Sequence, residues 1–323
     1  MLNIHFINVA DGDSILIEDR EGDRVFRMMV DTGRRELGSD PGSLRCRAID
    51  YLREKKITHL DMLVVTHLHT DHSGGLENLL PEIKIDDVYS GFFPNTPGAR
   101  APLEPDGQKT VRGLIECLNQ WAEDVDRLRD TAARLHTVSG TLRGLSLTPR
   151  LSADIICPNR TENAVQRLVW EDMLRGLPVP EDLKYWVSKS RNPGSLRLRL
   201  TYAGRTIELA GDCYGCVWED EALEPCDILK VPHHGDAKAM TEKLAEKLHP
   251  SWAVISCKSE YVPHKDRPSQ GAVELLRRTG ARVLFTDSFS APWHQADYWN
   301  SVDFTILEDG TVLAPESRDG NGR

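Results

Sequence analysis

The sequence predicts an α/β fold whose reactive side chains collect along one rim of a sheet, and three features predict it. Apolar runs of strand length alternate with segments of helical spacing. The strand-like runs repeatedly stop at aspartate or histidine: Val30 before Asp31, Val65 ahead of His67 to His72, Ala210 before Asp212, Val231 before His233 and His234, and Phe285 before Asp287. Strand ends from both halves of the chain would converge there, where sheet proteins commonly place their sites. Third, 40% apolar and 28% charged residues balance a sizeable core against a solvated surface. One large domain is expected over 1–315, ahead of a disordered tail at 316–323.

Taken in order, residues 2–9 and 13–18 read as a hairpin turned at Ala10-Asp11-Gly12-Asp13. Phe26 to Val30 makes a third strand, closed by Asp31-Thr32-Gly33; Asp31 either caps that turn or orients a metal-binding histidine. A helix is expected at 48–55, a strand at 62–66, a short helix at 76–81 and a strand at 88–89. After a Pro- and Gly-rich loop, Val111, Leu114, Ile115, Leu118, Ala122, Val125, Leu128 and Leu135 fall mostly three or four apart. That spacing predicts an amphipathic helix from about 110 to 135, within a helical addition over about 94–136. Strands follow at 145–148 and 153–157. The segment at about 160–192 has a helical centre, Val165 to Leu174, and carries Trp170, Tyr185 and Trp186. It is either an inserted helix packed by its aromatics or a lid over the site. Ser195 to Tyr202 alternates strictly as a strand, and further strands are expected at 206–210, 228–231, 253–256 and 282–286, with a helix closing at 275–279 and an edge hairpin at 304–307 and 311–313.

The densest chemistry lies in His67-Leu68-His69-Thr70-Asp71-His72, where three of the chain's 11 histidines share six residues with an aspartate. In an extended chain alternate residues share a face, so His67, His69 and Asp71 would point together and His72 the other way. Imidazole and carboxylate at this spacing suit a divalent metal, and four of them allow two ions. A merely polar loop would not concentrate so many histidines. Cys213 and Cys216, beside Asp212, lack a second pair at zinc-finger spacing and read as helix-start residues. The seven cysteines, an odd number, read as reduced thiols.

A net charge of −10 argues against a broad surface for duplex DNA. It leaves open a local groove, where bound metal ions supply positive charge. No run of about 18 apolar residues occurs, so no membrane span is expected. Met1 to Phe6 starts directly as a strand with no signal-like segment, and a cytoplasmic location is expected.

The His67-x-His69-x-Asp71-His72 motif, with Val30-Asp31-Thr32-Gly33 before it and Ala210-Gly211-Asp212 after it, resembles the metallo-β-lactamase superfamily. Phe6 to Ile17, Leu229 to Gly235, and Val254-Ile255-Ser256 with His264 and Gly280 to Asp287 are similar to its ComEC-like branch, the hydrolase domain of the competence protein. The resemblance spans roughly 2–90 and 140–290. It implies a four-layer αββα sandwich of two similar halves with a dinuclear site between the sheet edges. His67 and His69 would bind one ion, Asp71 and His72 the other, and Asp212 would bridge them. Many members place a further histidine where this chain has Ser190-Arg191-Asn192-Pro193-Gly194-Ser195. Without it the first ion would have more room for water, which favours Mn²⁺ beside Zn²⁺. The second ion would be completed by His233 and His234 or by His264. The pair is the favoured choice, which leaves His264 as a proton donor to the leaving group, with His234 assisting.

The expected function is therefore a metallo-hydrolase, a phosphodiesterase or nuclease using a metal-activated hydroxide, with Asp71 both binding metal and holding the nucleophile's proton. Its partner would be a small-molecule or nucleic-acid phosphodiester, with proteins encoded nearby as further partners and no membrane contact. Acyl hydrolysis of a lactone, thioester or β-lactam is the alternative on the same site. A non-catalytic metal-binding sensor is a third reading.

Overall fold

Alternation of apolar residues sorts the chain into two sheets, each covered on both faces. The computed structural model describes residues 1–95, 102–260, 267–295, 297 and 299–315; the expected tail at 316–323 lies outside them. Strands β1 (Leu2–Ile7), β2 (Ser14–Glu21) and β3 (Arg24–Thr32) form an antiparallel meander. Helix α1 (Ala48–Glu54) crosses to β4 (His59–Val65), parallel to β3. Short helices α2 (Thr70–Ser73) and α3 (Leu76–Leu79) lead to β5 (Lys84–Ser90), and α4 (Lys109–Asp130) leads to β6 (Arg134–Thr137). The second sheet opens with β7 (Leu142–Ser146) and β8 (Leu151–Ile156); α5 (Arg160–Leu174) and α6 (Glu181–Lys189) precede β9 (Arg197–Tyr202) and β10 (Arg205–Leu209). Helix α7 (Gly215–Trp218), β11 (Ile228–Lys230), α8 (Glu242–Leu248), β12 (Trp252–Ile255), α9 (Gln270–Arg278) and β13 (Arg282–Phe285) complete that half. Strands β14 (Ser301–Ile306) and β15 (Val312–Leu313) return to the first sheet.

The strand orders are β15-β14-β1-β2-β3-β4-β5-β6 and β13-β12-β11-β10-β9-β8-β7, both mixed parallel and antiparallel. The C-terminal hairpin is edge structure only in β15, because β14 pairs with β1, Phe304 opposite Ile4.

Period-two alternation builds three apolar layers. Ile15, Ile17, Met28, Val30, Met62 and Val64 face Leu198, Leu200, Leu209, Ile228, Val254 and Leu284 between the sheets. The intervening Leu16, Met29, Leu63 and Val65 point outward to Leu52 of α1, Leu76 of α3 and Trp121 of α4. On the far side Leu229, Ala253, Ile255 and Phe285 meet Trp218, Leu244, Val273 and Leu276. The result is helix, sheet, sheet, helix: the four-layer sandwich expected from the sequence. Among the described residues no helix is long and apolar enough to cross a membrane.

Two stretches differ from expectation. The long helix stops at Asp130 rather than about 135, since Ala132 takes a left-handed φ of 59° and Leu135 lies in β6. Leu135 keeps helical spacing, but it is partly buried from a strand. Helix α8 has no counterpart in the sequence reading; seven residues give too few turns for periodicity, and its one signal is Thr241, whose hydroxyl accepts from Leu244 N at 3.2 Å. Segment 160–192 forms two helices, and Val169, Trp170, Met173, Leu174 and Val187 join the layer containing α4, with Trp170 edge-on to Phe92 at 5.4 Å.

Candidate metal centre

Strand β4 ends at Val65, the chain bends at His67 and Leu68, and His69 is extended (φ −97°, ψ 145°) before Thr70 to Ser73 coil into α2. This corrects the extended reading of the motif. The helical turn carries Asp71 and His72 together, so His72 turns into the cluster, its ring 4.2 Å from that of His67. The β1–β2 turn closes on this helix: Asp13 N donates to Asp71 O at 3.1 Å, and a Cβ at Gly12 would sit 2.3 Å from that oxygen. Only glycine permits that approach.

Asp31 fixes His72. Its Oδ1 accepts from Thr66 N at 2.8 Å and its Oδ2 from Thr66 Oγ1 at 2.7 Å, while His72 Nδ1 donates to Oδ2 at 2.8 Å. His72 Nε2 is thereby aimed at Asp212 Oδ1, 3.2 Å away. Such a carboxylate behind an imidazole sets the ring's orientation and tautomer.

Asp212 follows β10 and lies at the middle of the cluster. His234 Nε2 is 3.5 Å from Oδ1 and 3.6 Å from Asp71 Oδ2. His67 Nε2 is 3.7 Å from Asp212 Oδ2 and 2.8 Å from His69 Nδ1. Two triads result, His67, His69 and Asp212, and Asp71, His72 and His234, each with donor atoms within 4.8 Å of one another. His72 Nε2, Asp212 Oδ1 and His234 Nε2 are buried without a well-formed hydrogen bond. Buried polar atoms need partners, and convergent orphaned nitrogen and oxygen donors fit a divalent cation. His233 stands on the other flank, Nε2 3.8 Å from Asp212 Oδ2 and accepting from Asn192 Nδ2 at 2.9 Å.

His264 lies outside the described residues. Asp287 is buried but away from the imidazoles: it accepts from Asn8 Nδ2 at 3.1 Å, from Ser259 N at 3.0 Å and from Ser43. It ties together the segments carrying Asn8, Ser43 and Ser259. Cys213 is buried, its thiol pushed up to about 12 by burial, and Cys216 is exposed. Sequence reasoning missed the role of Asp13 and Lys230. The fully buried Lys230 ammonium contacts Asp13 Oδ2 and donates to Gly211 O at 3.0 Å. Asp13 also approaches His72 Nδ1 at 3.6 Å and His234 Nδ1 at 3.8 Å. The available signal was a lysine inside an apolar strand, a costly placement without a partner.

Charge sorts the two pockets. Burial, with His72 and His69 beside it, holds His67 well below the usual histidine range. Burial and Arg191 bring His69 down to about 3. Both imidazoles are therefore neutral donors at ordinary pH. Burial opposes ionisation of Asp71, yet His72, His234 and His69 outweigh it and hold the carboxyl down to about 2. Burial would likewise depress His72, but Asp212, Asp31 and Asp13 overcome it and raise the imidazole well above its usual range. An ion in the second pocket must displace that proton, whereas the first pocket presents neutral rings. The expected outcome is that acidification empties the second pocket first, its affinity falling about tenfold per pH unit below the His72 pKa for one proton exchanged. Ion counting between pH 5 and 9 checks this; simultaneous loss of both ions would contradict it.

Comparison with known proteins places residues 7–92 in agreement with the profile of the metallo-beta-lactamase superfamily. ComE operon protein 3 of Bacillus subtilis (strain 168) is 25% identical over 302 residues, covering 86% of this chain and 32% of that protein. The chain thus spans about a third of the length of the curated relative it matches. Among solved structures, the metallo-beta-lactamase fold protein YhfI from Bacillus subtilis aligns at TM-score 0.47 and 12% identity, over 90% of this chain and 98% of that one. Zn²⁺-bound PqqB from Methylobacterium extorquens aligns at TM-score 0.44 and 10% identity, over 88% and 97%.

Proposed function

We propose that this chain, whose residues 7–92 match the metallo-beta-lactamase superfamily, is a hydrolase of phosphodiesters working with two divalent ions, Zn²⁺ or Mn²⁺. The observation that carries the phosphodiester class is the charge at the mouth. In a chain of net charge −10, cations stand on both flanks of the cluster. Arg34 reaches Asp71 at 3.6 Å and shares Asp11 with Lys258, which lies 3.3 Å from it. On the opposite flank Arg267 is 3.8 Å from Asp236, and exposed Lys238 lies over the ring of Tyr214, 5.5 Å from its centroid. Local cations of this kind draw in and orient an anionic ester.

His67, His69 and Asp212 would hold one ion, and Asp71, His72 and His234 with the other oxygen of Asp212 would hold the second. Bound there, the ions supply an acidified water and polarise the ester oxygen. His234 Nδ1 lies 3.2 Å from Ser256 O; donation to that carbonyl leaves Nε2 for a cation, so His234 acts as ligand rather than proton donor. Asp71, ionised at working pH, can also accept the attacking water's proton. His264 is left as the candidate donor to the leaving oxygen.

Single-stranded DNA, a bis-nitrophenyl phosphate and a lactone, each assayed with Zn²⁺ or Mn²⁺, test this. Hydrolysis of one or both phosphodiesters, abolished by a chelator, is expected. Activity confined to the lactone would replace the reading with acyl hydrolysis.

A further inference from the structure

We propose that His233 supplies a third imidazole to the first ion pocket, beside His67 and His69, and that Asn192 guards its lone pair. The inference rests on the dinuclear reading above and deepens it.

The turn from Pro232 to Gly235 carries three successive left-handed residues: His233 (φ 45°, ψ 45°), His234 (φ 55°, ψ 27°) and Gly235 (φ 71°). Non-glycine residues in this region cost about 1–3 kcal/mol each and persist where the surroundings demand them. The consequence is visible at Asp212. Adjacent imidazoles, 6.1 Å between centroids, are splayed to opposite sides of one carboxylate. His234 approaches Oδ1 with His72; His233 approaches Oδ2 at 3.8 Å, the oxygen that His67 approaches at 3.7 Å. His67, His69 and Asp212 provide three donor atoms, and His233 faces the same carboxylate oxygen with a fourth. Four donors suit zinc.

The ring is also prepared electronically. His233 Nδ1 lies 2.6 Å from Asp236 Oδ2 on the outer side of the ring, and Nε2 faces inward, toward Asn192 and Asp212. A carboxylate behind the ring is the arrangement that orients metal-binding histidines. Asn192 Nδ2 donates to Nε2 at 2.9 Å, while its buried Oδ1 has no hydrogen-bond partner. The amide thus satisfies the nitrogen that a cation would take, and withdrawing Nδ2 hands Nε2 to the ion.

The test is Co²⁺ titration of the whole chain, followed by visible absorption and by counting bound cobalt after desalting. Four forms are compared: wild type, His233→Ala, His233→Asn and Asn192→Ala. Asparagine tolerates the left-handed backbone, so His233→Asn removes the imidazole while keeping the turn. Wild type is expected to bind two ions. Both His233 variants should bind one of them at least about 10–100-fold more weakly, the scale set by loss of a supporting partner, with the other unchanged. The retained ion reports an intact fold. Asn192→Ala should keep both. Wild-type affinity for both ions in the two His233 variants overturns the proposal. So does loss of an ion in Asn192→Ala alone, which would make the amide the ligand. Failure of the wild type to bind any ion removes this inference and the functional reading together. Loss of one ion in the His233 variants of a protein that cleaves no ester sustains this inference and sinks the other.

Discussion

Asp212→Ala is expected to lose both ions together and to lower hydrolysis by at least about 10²–10³-fold, the scale for removing a single electrostatic stabiliser. One carboxylate here serves two pockets: Oδ1 meets His72 at 3.2 Å and His234 at 3.5 Å, and Oδ2 meets His67 at 3.7 Å. Burial would push its pKa up, but His72 and His234 hold it well below the usual carboxylate range, so it is charged at ordinary pH. Alanine deletes that charge from between four imidazoles and leaves each pocket without its only shared ligand. Asp212→Asn is the informative companion, because it keeps one carbonyl oxygen and the volume. It should retain at most one ion. Bound metal measured after desalting, alongside the rate on bis-nitrophenyl phosphate, decides the matter. Two ions remaining in Asp212→Ala would mean that the bridge lies elsewhere.

How much of this was legible in the sequence depends on whether the determinant was local. Strand ends are local: an apolar run that stops at Asp31, at His67, at Asp212 or at His233 announces itself, and the structure brings those ends together at one rim. Backbone turns are less so. The residues from His67 to His72 read as extended by alternation, but Thr70 to Ser73 coil, because Gly74 and Gly75 allow the helix to lie against Thr32, where a Cβ on Gly75 would stand 2.1 Å from Thr32 O. That coil is what turns His72 inward. The opposed aim of His233 and His234 depends on two left-handed residues that composition does not betray. Asp287, another strand-end aspartate, bonds Asn8 and Ser259, partners far from it in sequence that no local pattern indicates. Least legible of all was Asp13, read as part of a turn, whose partner Lys230 lies in the other half of the chain.

That pair governs the second large effect. Lys230→Met should destabilise the ion-free protein by about 3–5 kcal/mol, the scale for breaking a buried ion pair from one side. Methionine nearly matches lysine in length and packs well, so the loss is electrostatic: Asp13 is left buried with its ammonium gone, and Gly211 O loses its donor. Asp13→Asn should cost a similar amount by stranding the ammonium. The double variant should lose less than the sum of the two, because neither charge is then left alone, and the difference measures their coupling. Ion loading adds a second, independent expectation. Asp13 lies 3.6 Å from His72 and 3.8 Å from His234, so cations held by those rings bring positive charge to the carboxylate that Lys230→Met has left unpaired. The gap between Lys230→Met and wild type should therefore narrow with Zn²⁺ and be widest with chelator. Urea unfolding in both conditions reads it directly. A Lys230→Met protein as stable as wild type in chelator would show that this buried pair contributes nothing to holding the two halves together around the rim.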